Sequence, residues 1–158
     1  GLTRAAGMAQ LLVVLAAVLI IQPVLATVMG RSPRLTTATV AVIAGLLWML
    51  ALCAGDAISA AVGAYPRTIT LILLPAFLGA GLLQLVTGVL HHLLPILTGA
   101  RPDTTERTGY ARLLLINLGG LLTLLGATVA GLIMMGIGLA ANVIAVGRAI
   151  YLKKRLEN

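Results

Sequence analysis

Charged residues are scarce in this sequence. Of its 158 residues only 9% are charged, four acidic and eleven basic, whereas 60% are hydrophobic. Soluble domains have roughly a quarter of their residues charged, so water is excluded as the solvent for most of this chain. The net charge of +7 lies almost entirely between the apolar runs. That pattern is typical of topology signals and of contacts with anionic lipid headgroups, and it argues against nucleic-acid binding.

Residues and motifs that mark enzymes are also missing. Cys53 is the single cysteine, which excludes an internal disulfide and a metal site made from a cysteine pair. The sequence contains no nucleophile elbow, phosphate-binding loop, paired carboxylates, HExxH or CxxC. We therefore expect that this segment has no catalytic residues and is not an enzyme on its own.

Long charge-free runs are present instead. They cover 5–30, 35–55, 68–100 and 113–147, each at or beyond the ~18 apolar residues of a membrane span. The last run would make a helix of about 50 Å against a hydrocarbon core of ~30 Å. We therefore expect a turn near 126–131. The prediction is an all-α, polytopic transmembrane helix bundle in a single domain, with five spans at about 8–29, 36–55, 69–97, 109–127 and 131–152. The alternative has four spans, the last of them very long.

The basic residues favour five spans. Four spans put six basic residues on one side and five on the other, whereas five spans leave only Arg4 and Arg67 opposite the remaining nine. The positive-inside rule then predicts a multi-pass protein of the inner (plasma) membrane with its C-terminus in the cytoplasm. The expected partners are the lipid bilayer and other membrane helices or a second copy. Because the chain opens at Gly1, we expect a piece of a longer protein.

One polar stripe runs along the third span. At about 100° per residue, its members share roughly a third of the helix circumference; they are Gly81, Gln84, Gly88, His91, His92 and Pro95. Histidines inside a membrane are costly, which predicts haem or metal ligands or proton carriers, with Gln84 holding the liganding imidazole. Because adjacent side chains diverge by about 100°, only one histidine would bind a given ion. The alternative is that both hydrogen-bond to headgroups or to a neighbouring helix.

Other polar and small residues have simpler interpretations. Asp56 is the acidic residue within an apolar region, either a proton or cation site or a helix-end residue in water. Asn117 and Asn142 are expected to cross-link helices through their amides. Residues 103–106 resemble a capping box that opens the fourth span. Close helix packing is predicted at Gly79, Gly81, Gly119 and Gly120 and at the spacings Gly136-x-x-x-Ala140 and Ala141-x-x-x-Ala145-x-x-x-Ala149.

The third span also carries a family resemblance, through the string Gln84-Leu-Val-Thr-Gly88-Val-Leu-His-His-Leu-Leu-Pro95-Ile-Leu-Thr-Gly99. It resembles the membrane region of actinobacterial multicopper oxidases and copper nitrite reductase-like proteins, and it is more distantly similar to helices of haem-copper oxidase subunit I. That family usually has a small residue and then tyrosine where this chain has His91 and His92, so the histidines depart from the pattern.

The resemblance implies that the chain is the membrane-embedded part of a copper-dependent oxidoreductase. Its role would be anchoring and electron transfer through a haem, with copper bound only in cupredoxin domains that lie outside this chain. Two hypotheses from other classes stay open. One is a structural or assembly subunit that packs against partner helices without a cofactor. The weaker one is a small transporter.

Overall fold

A computed structural model describes residues 2–31, 36–63, 66–99 and 106–157 of the chain. Almost all of these residues are helical, and none of them forms a strand. The elements in chain order are α1 (Leu2–Arg31), α2 (Thr37–Ala61), α3 (Pro66–Ala76), a π-helical segment (Phe77–Leu83), α4 (Gln84–Thr98), α5 (Glu106–Leu124) and α6 (Thr128–Glu157). The elements α3, π-helical segment and α4 follow one another without a break.

Four stretches are long and apolar enough to cross a membrane, judged by length and composition: Arg4–Pro23, Thr37–Ala61, Leu71–Leu94 and Thr128–Arg155. A shorter apolar helix covers Thr108–Leu124. Helices dominate because the bilayer interior offers no water, so backbone groups must hydrogen-bond within their own segment. The prediction of an all-α bundle of membrane-spanning helices is confirmed, with four to five spans.

The last apolar run is divided into two helices and does not form one long helix. The turn covers residues 125–127, at the early edge of the predicted position, and α5 and α6 form a hairpin. Gly126 has a φ of +90°, a conformation that favours glycine. The Ala127 N–H donates to the Leu122 carbonyl at 2.9 Å and closes the end of α5.

The helices extend further than the predicted spans. α1 begins at Leu2 and not near residue 8, α2 continues past residue 55 to Ala61, and α6 ends at Glu157 and not near residue 152. The predicted spans stopped where the apolar run met a charge. Helical hydrogen bonding does not stop there, because charged side chains at helix ends can reach the membrane interface. Of the predicted capping box, residues 103–105 lie outside the described residues.

Small residues let the helices approach closely. The fully buried Ala80 and Ile116 and the nearly buried Met135 form the centre of the bundle. A Cβ on Gly119 would lie 2.7 Å from the Gly131 carbonyl oxygen, which shows how tightly α5 and α6 pack. The predicted packing roles of Gly79, Gly81, Gly119 and Gly120 are confirmed, since a Cβ on each would meet another helix.

The predicted packing of Gly136-x-x-x-Ala140 is wrong. Gly136 and Ala140 are exposed, and nothing lies within 4 Å of the position that a Gly136 Cβ would take. α6 instead contacts α5 through Gly131, Met135 and Gly138. These three are spaced i, i+4 and i+7, so they form one helical stripe, and Gly136 lies about 100° away from it. Ala149, from the other predicted spacing, is buried.

Candidate functional site

A small polar cavity lies where α2, α4, α5 and α6 meet. Its volume is ≈ 20 Å³. A cavity of this kind holds one water when its volume reaches about 10–15 Å³, so there is room for one water or one ion of similar size. Its polar lining consists of Thr37 from α2, Thr87 and His91 from α4, Arg112 from α5 and Asn142 from α6.

His91 has one ring nitrogen engaged and one without a partner. Its Nδ1 lies 2.8 Å from the Thr87 carbonyl oxygen, one turn earlier in α4. Because a carbonyl oxygen only accepts, Nδ1 carries the hydrogen and donates. The other nitrogen, Nε2, is buried and has no hydrogen-bond partner among the described residues. A neutral His91 therefore has a free lone pair on Nε2, and a protonated His91 has a free N–H there.

Arg112 contributes a second unpartnered atom. Its Nη1 donates to the Ala141 carbonyl oxygen of α6 at 3.4 Å, whereas its Nε is buried without a partner in the described part of the chain. Among the described residues that line the cavity, none has an acidic side chain. Since a guanidinium is always charged in proteins, Arg112 gives the cavity a positive charge that none of these lining residues neutralises.

Gln84 lies on the buried face of α4 but does not hold the His91 ring through Nδ1. It is fully buried, and its Nε2 donates to the Ala41 carbonyl oxygen of α2 at 3.4 Å. The Thr87 carbonyl takes the place at His91 Nδ1 that was expected for Gln84. The structural role of Gln84 is therefore to join α4 to α2.

The two histidines are separated, as their divergence of about 100° predicts. His92 is exposed and does not line the cavity. The cavity beside His91 is far too small for the macrocycle of a haem, so the described residues do not fit this cofactor. Within the described ranges, no group of three His, Cys, Asp or Glu side chains is placed to hold a metal ion.

Asp56 lies at the other end of α2, beside a second cavity of ≈ 190 Å³ between α1, α2 and α3. The Gln10 Nε2 of α1 donates to Asp56 Oδ2 at 3.3 Å. Cys53 also lines this cavity. Fifteen residues of helix separate Asp56 from Ala41, or roughly 22 Å at 1.5 Å per residue, so the two cavities are far apart. Asp56 is a helix-interior residue bonded to α1, and the sequence did not indicate Gln10 as its partner.

The predicted cross-linking role of Asn117 is confirmed. The Trp48 Nε1–H of α2 donates to Asn117 Oδ1 at 2.6 Å, and Asn117 Nδ2 donates to the Leu113 carbonyl oxygen at 2.7 Å. Asn142 lines the small polar cavity.

Arg112 was not predicted as a site residue and was counted only among the basic residues that set the topology. A signal was present in the spacing of α5. The buried residues Gly109, Ile116 and Gly119 lie three residues before, four after and seven after Arg112, so all four share one face of the helix. A basic residue on the packed face of a membrane helix marks a polar site.

Comparisons with known protein families, with curated proteins and with solved structures found no match.

Proposed function

We propose that this chain is a membrane-embedded anchoring and packing module, which attaches a larger enzyme or assembly to the bilayer and has no reaction of its own. The main observation in support of the proposal is that the helices pack closely against one another. A Cβ on Gly45 of α2 would lie 2.8 Å from the Leu85 backbone nitrogen of α4. Packing of this kind leaves no chamber for a substrate between these two helices.

The parent protein that we propose is a copper-dependent oxidoreductase of the multicopper oxidase or copper nitrite reductase-like kind. The support for it is the resemblance of residues 84–99 to the membrane region of that family. Copper would be bound by domains outside this chain. Anchoring fits the bundle better than electron transfer does, because the cavity beside His91 is too small for a haem.

The orientation that we propose places the C-terminus in the cytoplasm of a plasma-membrane protein. Two contacts support this arrangement of the ends. The Lys153 Nζ of α6 donates to the Thr98 carbonyl oxygen, so the C-terminal ends of α4 and α6 lie side by side. Arg4 of α1 lies near Gly63, at the opposite end of α2 from Thr37. With five crossings, nine of the eleven basic residues of the sequence are on one side of the membrane, which the positive-inside rule assigns to the cytoplasm.

A small transporter is supported less well. Asp56 and His91, the polar residues available to line a path, belong to separate cavities. Between them, a Cβ on Gly81 would lie 3.0 Å from the Met49 side chain, so α2 and the π-helical segment leave no open route there.

The proposal is tested on protein purified in mild detergent. We expect no Soret band under oxidising or reducing conditions, no stoichiometric metal, and no change of spectrum in His91→Ala. If copper-binding domains are the partner, co-expression of this chain with cupredoxin domains of the proposed family should give a complex of fixed stoichiometry whose copper stays with those domains. A haem bound at one per chain, or flux of a solute through liposomes that contain the chain alone, would overturn the anchoring proposal.

A further inference from the structure

We propose that the small polar cavity is a binding site for one monatomic anion, chloride under ordinary conditions, held by Arg112 and by protonated His91. The site is independent of the anchoring role proposed above. It is assembled from four helices, and its two unpartnered atoms, Arg112 Nε and His91 Nε2, are both buried.

Charge is the first argument for an anion. The Arg112 guanidinium is permanently charged, and the acceptor that it contacts, the Ala141 carbonyl oxygen, is neutral. The Arg112 Nε is buried without a partner in the described ranges, and a buried donor of a charged group is costly unless it is paired. Because no acidic side chain is among the described residues that line the cavity, a bound anion is the partner that balances Arg112.

Size is the second argument. The volume of ≈ 20 Å³ admits a guest of about the size of water. Phosphate, sulfate and carboxylates, including lipid headgroups, have several heavy atoms and are larger than this volume. A monatomic halide does, and chloride is the halide that cells contain in quantity.

His91 makes the binding depend on pH. With Nδ1–H donating to the Thr87 carbonyl, a neutral His91 has only a lone pair on Nε2, which repels an anion. Protonation converts Nε2 into a second donor in the cavity that Arg112 also lines, so one chloride then enters with one proton. Among the described residues that line the cavity, Arg112 of α5 is the only other charged one, and those of α2 and α6 have no ionisable side chain. Lys153 of α6 donates to the carbonyl oxygen of Thr98, which lies about two turns after His91 in α4.

The first measurement is made on the purified wild-type chain in detergent. Its melting temperature is compared in chloride and in gluconate at equal ionic strength, at pH 5.5 and at pH 8. At pH 5.5, the more acidic condition, we expect a rise of about 3–5 °C for each tenfold increase in chloride above the Kd. At pH 8 the rise should be much smaller. Chloride-35 NMR measures binding directly: we expect line broadening that bromide reverses and sulfate does not.

Matched variants distinguish the site from general attraction of anions to a basic protein. His91→Gln should lose the pH dependence, while His92→Gln, which changes the exposed neighbour, should behave as wild type. Arg112→Gln should lose the broadening altogether. If that variant does not fold, Arg112→Lys, which keeps the charge but lacks Nε, should fold and bind chloride more weakly. The proposal is overturned if chloride has no specific effect on the melting temperature of the wild type at pH 5.5. It is also overturned if His92→Gln reduces the pH dependence of that effect as much as His91→Gln does. A third contrary result would be stabilisation by phosphate or by vesicles of anionic lipid where chloride has no effect.

Discussion

Replacing Gly88 with alanine should separate α4 from α2. A Cβ at Gly88 would lie 2.9 Å from Val42 Cγ2, 3.0 Å from the Val42 backbone nitrogen and 3.1 Å from Ala41 Cβ. The Val42 methyl group can rotate away, but the backbone nitrogen moves only if the whole helix does. The new methyl group therefore pushes the two helices apart along the face that also carries Gln84 and His91.

The magnitude follows from two opposing terms. Alanine stabilises a helix interior by up to about 1 kcal/mol relative to glycine. Overpacking of a close contact costs about 1–3 kcal/mol. The matched control is Gly136→Ala, the same change in α6 at a position with nothing within 4 Å of the new Cβ. The control gains the helix propensity of alanine without any overpacking. Gly88→Ala should therefore be about 1–3 kcal/mol less stable than Gly136→Ala.

The assay is reversible unfolding in mixed micelles, with the fluorescence of Trp48, the single tryptophan, as the signal. Both variants keep Trp48, so the same signal serves for each. Equal stability of Gly88→Ala and Gly136→Ala would refute the close approach of α2 and α4 at Gly88.

Three further predictions concern contacts between helices and the orientation of the chain. Asn117→Leu should lower the free energy of unfolding by about 0.6 kcal/mol and shift Trp48 emission to shorter wavelength, because the indole N–H loses its acceptor; an unchanged emission spectrum would contradict the contact. Gln10→Ala should cost about the same, through loss of the bond to Asp56, and a stability equal to wild type would show that this bond contributes nothing. Reporter fusions should place the C-terminus in the cytoplasm and the N-terminus outside; finding both ends on one face would contradict five crossings.

The helices were predictable because the bilayer limits the choices. A chain without water must satisfy its backbone groups within each segment, so long charge-free runs predict helices directly. Length alone then required a turn inside the run 113–147, and the turn is observed at 125–127. The helices nevertheless extend beyond the ends of the apolar runs, because a charged residue ends an apolar run but does not interrupt backbone hydrogen bonding.

The π-helical segment was not predictable. Residues 77–83 have the composition of the surrounding helix, and none of them is a residue that marks a wider turn. The Gln84 N–H nevertheless donates to the Gly79 carbonyl oxygen, five residues earlier. Wider turns rotate α4 relative to α3, so the faces of the two elements do not follow one regular helix. The exposure of His92 has a different origin, because His92 follows the buried Gln84 and Gly88 within the regular helix α4.

Polar residues identify the inward face of a membrane helix better than small ones do. In a soluble protein an apolar stripe faces the core, but lipid is as apolar as the core, so this signal is lost in a bilayer. A buried polar residue still needs a partner, and for that reason Gln84 and His91 marked the packed side of α4 correctly. α6 has small residues on more than one stripe, and nothing in their spacing distinguishes Gly131 and Gly138, which contact α5, from Gly136, which does not. The structure resolves the choice through Arg112 on the packed face of α5, which donates to the Ala141 carbonyl oxygen of α6, a partner that the spacing of small residues in α6 does not indicate.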